Sequence, residues 1–208
     1  MKTKFTTIVA TVALLLSTTC VTFANTKTDN GSLIATEIKT VGNIDAIVAS
    51  GNVDVYLVNG DYDAVKVYSD YYGKNAVIKN EDGVLSIASY APDKLIVFVT
   101  VNDLQEITAN DNASIRTYGN ALYAKGLNIN LNNQAVAQLK VDAIGANVTV
   151  NDSARAELAG TIENYQLKYS ANSTVKNDNL KTYVSRKNKI ELPKANSLTA
   201  RFRMHASL

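Results

Sequence analysis

The chain has 208 residues, room for one domain with a sizeable core. Its 21 Lys plus Arg nearly balance its 19 Asp plus Glu, and Lys2 and Lys4 lie in a segment read below as removed. The mature protein is therefore close to neutral and lacks the basic excess of a nucleic-acid binder. With 46% hydrophobic residues, no Trp, two Pro and abundant Asn, Val, Ile, Thr and Tyr, it is too apolar for disorder and rich in strand and turn formers.

Residues 1–24 read as a signal peptide. Lys2 and Lys4 form a positive start, Ile8 to Leu16 an apolar run, and Thr22-Phe23-Ala24 a small-residue cleavage site after Ala24. The run is short for a membrane span, and no later stretch is long and apolar enough for one. Cys20 is the only cysteine, so cleavage after Ala24 leaves no disulfide and no thiol nucleophile. The alternative is a lipid anchor at Cys20, although Leu16-Ser17-Thr18-Thr19 lacks the Gly or Ala usual before such a cysteine. Residues 25–39 read as an N-terminal linker.

Ile47-Val-Ala-Ser-Gly-Asn-Val-Asp-Val55 is the first copy of a recurring phrase: apolar, polar, apolar, three turn formers, small, polar, apolar. An excursion follows, with strands at Ala64–Tyr68, Val84–Ala88 and Leu95–Val101, separated by turns at Asn59-Gly60-Asp61 and Glu81-Asp82-Gly83. It is expected to be antiparallel and to pack on the N-terminal end of what comes next.

The phrase then returns four times, from Ile107, Ile129, Val148 and Leu167, at spacings of 22, 19 and 19 residues. Alternation puts Ile107 and Ala109 on one face, Asn110-Asp111-Asn112 bends the chain, and Ala113 and Ile115 point inward again. Stacking the copies places Ile107 over Ile129, Val148 and Leu167, and Ala113 over Ala135, Ala154 and Ser173. One copy cannot bury its apolar face, whereas a stack can. A further, degenerate copy is expected at Val184 to Leu192. The period fails after Pro193, so residues 193–208 read as a cap or tail. The expected fold is all-β, a right-handed parallel β-helix-like solenoid with an antiparallel strand excursion near its N-terminal end. A leucine-rich repeat lacks support because its Asn and Leu spacing is missing. A β-sandwich does not require copies at constant spacing.

Ala49-Ser-Gly-Asn-Val-Asp-Val-Tyr-Leu57, Asn80-Glu-Asp-Gly-Val-Leu-Ser-Ile87 and Val101-Asn-Asp-Leu-Gln-Glu-Ile107, with the successive turns, resemble the head GIN domain of auto-transporter adhesins. The resemblance covers residues 40–192. It implies a β-helix-like fold in an exported bacterial protein and no established activity. Family turns carry Ser-Gly or Gly-Ala steps. Ser50-Gly51 keeps one, while Asn110-Asp111, Asn132-Asn133, Asn151-Asp152 and Ser170-Ala171 depart from it.

Chemistry-bearing groups are sparse. His205 is the only histidine, which argues against a serine triad and a zinc site, and no Gly-rich phosphate loop is present. Asp111 and Asp152 sit at equivalent turn positions two coils apart, about 9–10 Å at the usual strand spacing, within reach of an inverting carboxylate pair. The plainer reading makes them turn residues capping backbone N–H groups. Asn59-Gly60-Asp61-Tyr62-Asp63 lacks the ligand set of a calcium loop and reads as a hairpin turn. Tyr62, Tyr71 and Tyr72, near Tyr68 and Tyr90, are candidate ligand-binding residues, because aromatic rings stack on sugars or anchor a partner.

The sequence therefore predicts a non-catalytic secreted or cell-envelope protein, adhesin-like or scaffolding, whose partner is an envelope protein or a glycan. No catalytic residue, metal ligand or cofactor is expected, and the localisation is periplasmic, cell-surface or extracellular. A carbohydrate-binding or carbohydrate-cleaving β-helix protein is the alternative.

Overall fold

Apolar-polar alternation over short stretches sets the local structure throughout. The structure, a computed structural model, describes residues 35–38, 42–68 and 76–190, the first of these as backbone only. The signal peptide, Cys20, Tyr71, Tyr72, His205 and the tail 193–208 lie outside the described residues. Among the described residues every regular element is a β-strand: β1 (Ala35–Ile38), β2 (Ala46–Gly51), β3 (Val53–Asn59), β4 (Ala64–Tyr68), β5 (Ala76–Glu81), β6 (Val84–Ser89), β7 (Leu95–Val101), β8 (Glu106–Asn110), β9 (Ser114–Thr117), β10 (Leu122–Leu131), β11 (Val136–Val150), β12 (Arg155–Tyr169) and β13 (Thr174–Lys189). The described residues are all-β and form one curled, open, 13-stranded sheet.

Each rung of the sheet has two limbs joined by a turn. On limb A, inward residues run Leu85, Ile47, Ile107, Ile129, Val148 and Leu167 in parallel register. On limb B they run Val97, Val55, Ile115, Ala137, Ala156 and Val175. The column expected from the repeat is present, and all of limb A's column is buried. Burying each such Ile, Leu or Val contributes roughly 1.5–3 kcal/mol, which a single rung cannot collect alone.

The long strands β10 to β12 span both limbs. In β11, Leu139, Val141 and Ala143 are buried, then Ala146, Val148 and Val150. The inward phase thus switches from odd to even at Ile144-Gly145, where two consecutive residues face out and the chain turns its corner. Gly145 stands in register with Gly126 and Asn164, so the corners also stack.

The excursion differs from expectation in part. β4 lies antiparallel to β7, and β5 antiparallel to β6, while β1, within the segment read as a linker, pairs antiparallel with β4. β6 and β7, however, run parallel to β2 and β3 and make a full rung. Leu85 and Ile87, then Leu95, Val97 and Val99, carry the same inward phase as the phrase at Ile47. The rung formed by β6 and β7 lies outside that of β2 and β3, so chain order and stacking order disagree at this end. At the other end Lys187, not Val184, aligns with Leu167, and Val184 pairs with Asn164. The degenerate last copy is therefore shifted by one corner and carries a lysine in the column.

The turns work as the Asn and Asp content implies. Asp111, Asn133 and Asp152 adopt φ of 59°, 60° and 52°, where Gly51 in the equivalent place has 80°. Short polar side chains tolerate this left-handed conformation. Ala171, in the last turn, is not among the left-handed residues.

Candidate functional site

The inward phase of β3 takes Val53, Val55 and Leu57, which leaves Asp54, Tyr56 and Val58 on the other phase. β7 buries Leu95, Val97 and Val99 and turns Ile96, Phe98 and Thr100 outward. Register then places Tyr56 beside Phe98 on one side and Arg116 on the other, with Lys66 of β4 opposite Phe98.

The rings form one cluster. Tyr56 stacks on Phe98 with centroids 4.8 Å apart and planes at 16°. Tyr118 meets Phe98 edge-on at 5.4 Å and Tyr56 at 6.3 Å. Tyr68 meets Phe98 edge-on at 5.2 Å. The Arg116 guanidinium lies 6.0 Å from the Tyr56 centroid, at the limit of a cation–π contact. Tyr118 is 58% exposed, whereas Tyr56, Tyr68 and Phe98 are half-buried, so the cluster meets solvent chiefly at Tyr118.

Charges frame the rings. Asp54 Oδ1 lies 2.9 Å from Lys94 Nζ and 3.4 Å from Arg116 Nη1. These contacts are ionic rather than well-angled hydrogen bonds. Arg116 Nε donates to Gln138 Oε1 at 2.8 Å, and Gln138 Nε2 donates to Glu157 Oε2 at 3.3 Å. The guanidinium is therefore held at the cluster's edge by Asp54 and Gln138. The arrangement offers flat apolar faces beside a fixed cation, which suits stacking on a ring and a hydrogen bond to its substituents.

Tyr62 is 71% exposed in the Asn59–Asp63 turn and makes none of these ring contacts. Tyr90 is also exposed and donates its hydroxyl to Asp111 Oδ2 at 3.0 Å. That hydrogen bond, and then the charge of Asp111, raises the Tyr90 pKa. Tyr56, Phe98, Tyr118 and Arg116 were not singled out in the sequence. Their signal was aromatic residues on the polar phase of strands whose other phase is aliphatic.

The aspartates are engaged structurally. Asn133 Nδ2 donates to Asp111 Oδ1 at 2.9 Å, and Asn133 N donates to Asp152 Oδ2 at 3.0 Å. Asp63 accepts from Ile44 N at 2.8 Å and from Asn102 N at 3.0 Å, and Asn59 Oδ1 accepts from Tyr123 N at 3.0 Å. The Asn59–Asp63 segment thus clamps three backbone amides from other parts of the chain. Among the described residues no group of three or more His, Cys, Asp or Glu is placed to hold a metal ion, and no helix is long and apolar enough to cross a membrane.

None of the curated proteins matches the chain. Among solved structures it is similar to a putative adhesin from Bacteroides fragilis, with 15% identity and a TM-score of 0.41 over 77% of this chain and 98% of that one. A putative adhesin from Parabacteroides distasonis shows 15% identity and a TM-score of 0.40 over the same shares. A protein from that organism described as a putative lipid binding protein shows 13% identity and a TM-score of 0.35, over 78% and 98%. A family model matches residues 43–207, most of the chain, and the chain belongs to that family, described as putative auto-transporter adhesin, head GIN domain.

Proposed function

We propose that this chain is a non-catalytic, adhesin-like protein of the bacterial envelope that binds a glycan through the outward face of β3, β4, β7 and β9. The observation that carries the reading is the cluster of half-buried Tyr56, Phe98 and Tyr68 with exposed Tyr118, and Arg116 at its edge. Rings brought together from β3, β4, β7 and the residue after β9 expose apolar surface at Tyr118 that folding alone does not demand. Tyr62, Tyr71 and Tyr72 are further candidate ligand-binding residues. The non-catalytic reading is supported by the turn aspartates, whose oxygens hold neighbouring turns together.

The parallel register from β8 through β13 supports winding as a right-handed β-helix-like solenoid, because parallel crossovers are right-handed in about 98% of cases. Export is part of the proposal, with residues 1–24 removed as a signal peptide or with Cys20 acylated, and with a periplasmic, surface or extracellular destination.

The test is a glycan array and a cell-envelope pull-down, each with the native chain and with Tyr56→Ala plus Phe98→Ala. Saturable glycan binding that the double variant loses supports the proposal. Glycan binding that survives the double variant moves the site elsewhere. Binding to envelope protein alone replaces the glycan with a protein partner.

A further inference from the structure

Outward residues of limb B line up in one cross-strand row: Lys66, Phe98, Tyr56, Arg116, Gln138 and Glu157, taken from β4, β7, β3, β9, β11 and β12. Neighbours in such a row are about 4.8 Å apart. Along it the chemistry changes from rings to charges, and Arg116 sits at the join.

The charge at that join is not balanced. Asp54, one outward step before Tyr56 on β3, is only 8% exposed, and both Lys94 and Arg116 lie against its Oδ1. Two cations share that one carboxylate, which leaves a positive surplus. Glu157, two strands on, accepts from Gln138. Lys140 is exposed, and its backbone N–H donates to Thr117 Oγ1 beside Tyr118 at 3.2 Å. On the far side of the rings Lys66 stands in register with Glu37. The surplus therefore lies on the Arg116 side, where an anionic group is complementary.

Arg116 is oriented without being used up. Its Nε donates to Gln138, and Nη1 lies near Asp54. Among the described residues the guanidinium engages only these two, so Nη2 and one N–H of Nη1 remain for a ligand. That pair is the planar fork that takes a carboxylate through two parallel hydrogen bonds.

Tyr118 supplies the apolar surface next to it. Its N–H donates to Leu57 O at 2.7 Å and so continues the pairing of β9 with β3. Two residues along the strand put it roughly 7 Å from Arg116. Its ring stands at 81° to Phe98 and 89° to Tyr56, so neither stacks on it, and it is the exposed member of the cluster.

Resting on the glycan reading of this face, we infer that the glycan is acidic: a sugar packed on Tyr118 presents its carboxylate to the fork of Arg116. Asp54 and Gln138 are positioning residues that hold the fork, and Lys94 and Lys140 add attraction that salt screens.

The test titrates the native chain, Arg116→Gln, Arg116→Lys and Tyr118→Ala with uronate-containing oligosaccharides and with the same oligosaccharides after reduction of their carboxyl groups to alcohols. Sulfated glycans are run alongside. The native chain is expected to bind the carboxylate form at least about tenfold more tightly than the reduced form. Arg116→Gln is expected to bring that ratio close to one while still binding the reduced form. Partial unfolding would weaken both forms alike and leave the ratio unchanged. Arg116→Lys keeps the charge beside Asp54 and loses the fork, so its ratio should fall between the two. Tyr118→Ala is expected to weaken both forms together. A native ratio near one, or a ratio that Arg116→Gln leaves intact, overturns the acidic-glycan inference while glycan binding itself stands. Preference for sulfated glycans that Arg116→Lys retains replaces the carboxylate fork with simple charge attraction. Absence of binding to every glycan overturns the glycan reading and this inference together.

Discussion

Asn132 stands directly over Asn110 and donates its side-chain amide to the Asn110 Oδ1 at 2.8 Å, while its own Oδ1 accepts from Asn151 at 2.8 Å. Asn110 in turn donates to Ser50 Oγ at 3.2 Å, so one ladder crosses four turns. Removing the middle amide breaks two partly buried hydrogen bonds, each worth roughly 0.5–1.5 kcal/mol net. Asn132→Ala is expected to lower stability by about 1–3 kcal/mol in urea unfolding. Asn147→Ala, which removes an exposed bond to Asn128, is expected to stay within about 0.5 kcal/mol.

Gly160 and Gly126 are both glycines in strands, and their surroundings predict opposite outcomes. Gly160 has φ of 105°, and a Cβ there would lie 2.1 Å from the Val141 carbonyl oxygen. Because the obstacle is backbone, Gly160→Ala should cost at least about 3 kcal/mol or prevent folding. A Cβ on Gly126 meets nothing within 4 Å. Gly126→Ala should be neutral or stabilise by up to about 1 kcal/mol through the unfolded chain. Thermal melts of the two variants side by side check both.

Burial pushes the Tyr165 pKa from 10.0 up to about 12, partly offset by the Asn177 side chain beside its hydroxyl, which makes no well-angled hydrogen bond. A folded-state pKa raised above the unfolded value leaves stability intact below pH 10, and loses it as pH climbs from about 10 to about 12. The loss attributable to this group is on the order of 2–3 kcal/mol. Tyr165→Phe should match or slightly exceed the native chain at pH 7 and should unfold less readily near pH 12. The comparison of the two stability profiles between pH 8 and pH 12 isolates the effect from the other tyrosines. Superimposable profiles would show that Tyr165 titrates as an exposed phenol does.

The proposed glycan binding has two sets of candidate residues, and separate substitutions tell them apart. The stacked pair is disrupted by Phe98→Ala, which removes the ring that touches Tyr56, Tyr68 and Tyr118. A tenfold or greater loss of glycan affinity is expected, about 1.4 kcal/mol or more by the usual conversion. Tyr62→Ala and the pair Tyr71→Ala with Tyr72→Ala report on the other candidates. Affinity lost only in the latter two would place binding there and leave Phe98 a packing residue.

Much of the stack was legible in the chain. Ile107, Ile129, Val148 and Leu167 share a position in a repeated phrase, and they align because identical alternation on identical turns leaves one register in which every apolar residue is buried. The left-handed turns at Asp111, Asn133 and Asp152 were legible for the same local reason, since Asn and Asp tolerate that conformation. Tertiary structure decided the rest. Nothing local says that the rung of β6 and β7 stacks outside that of β2 and β3, because both rungs present equivalent inward columns and differ only in what each meets beyond its own edge. Nor does sequence proximity bring Tyr56, Phe98 and Tyr118 together. Parallel pairing over long loops does so, and only the register between distant strands makes three scattered aromatic residues into one face.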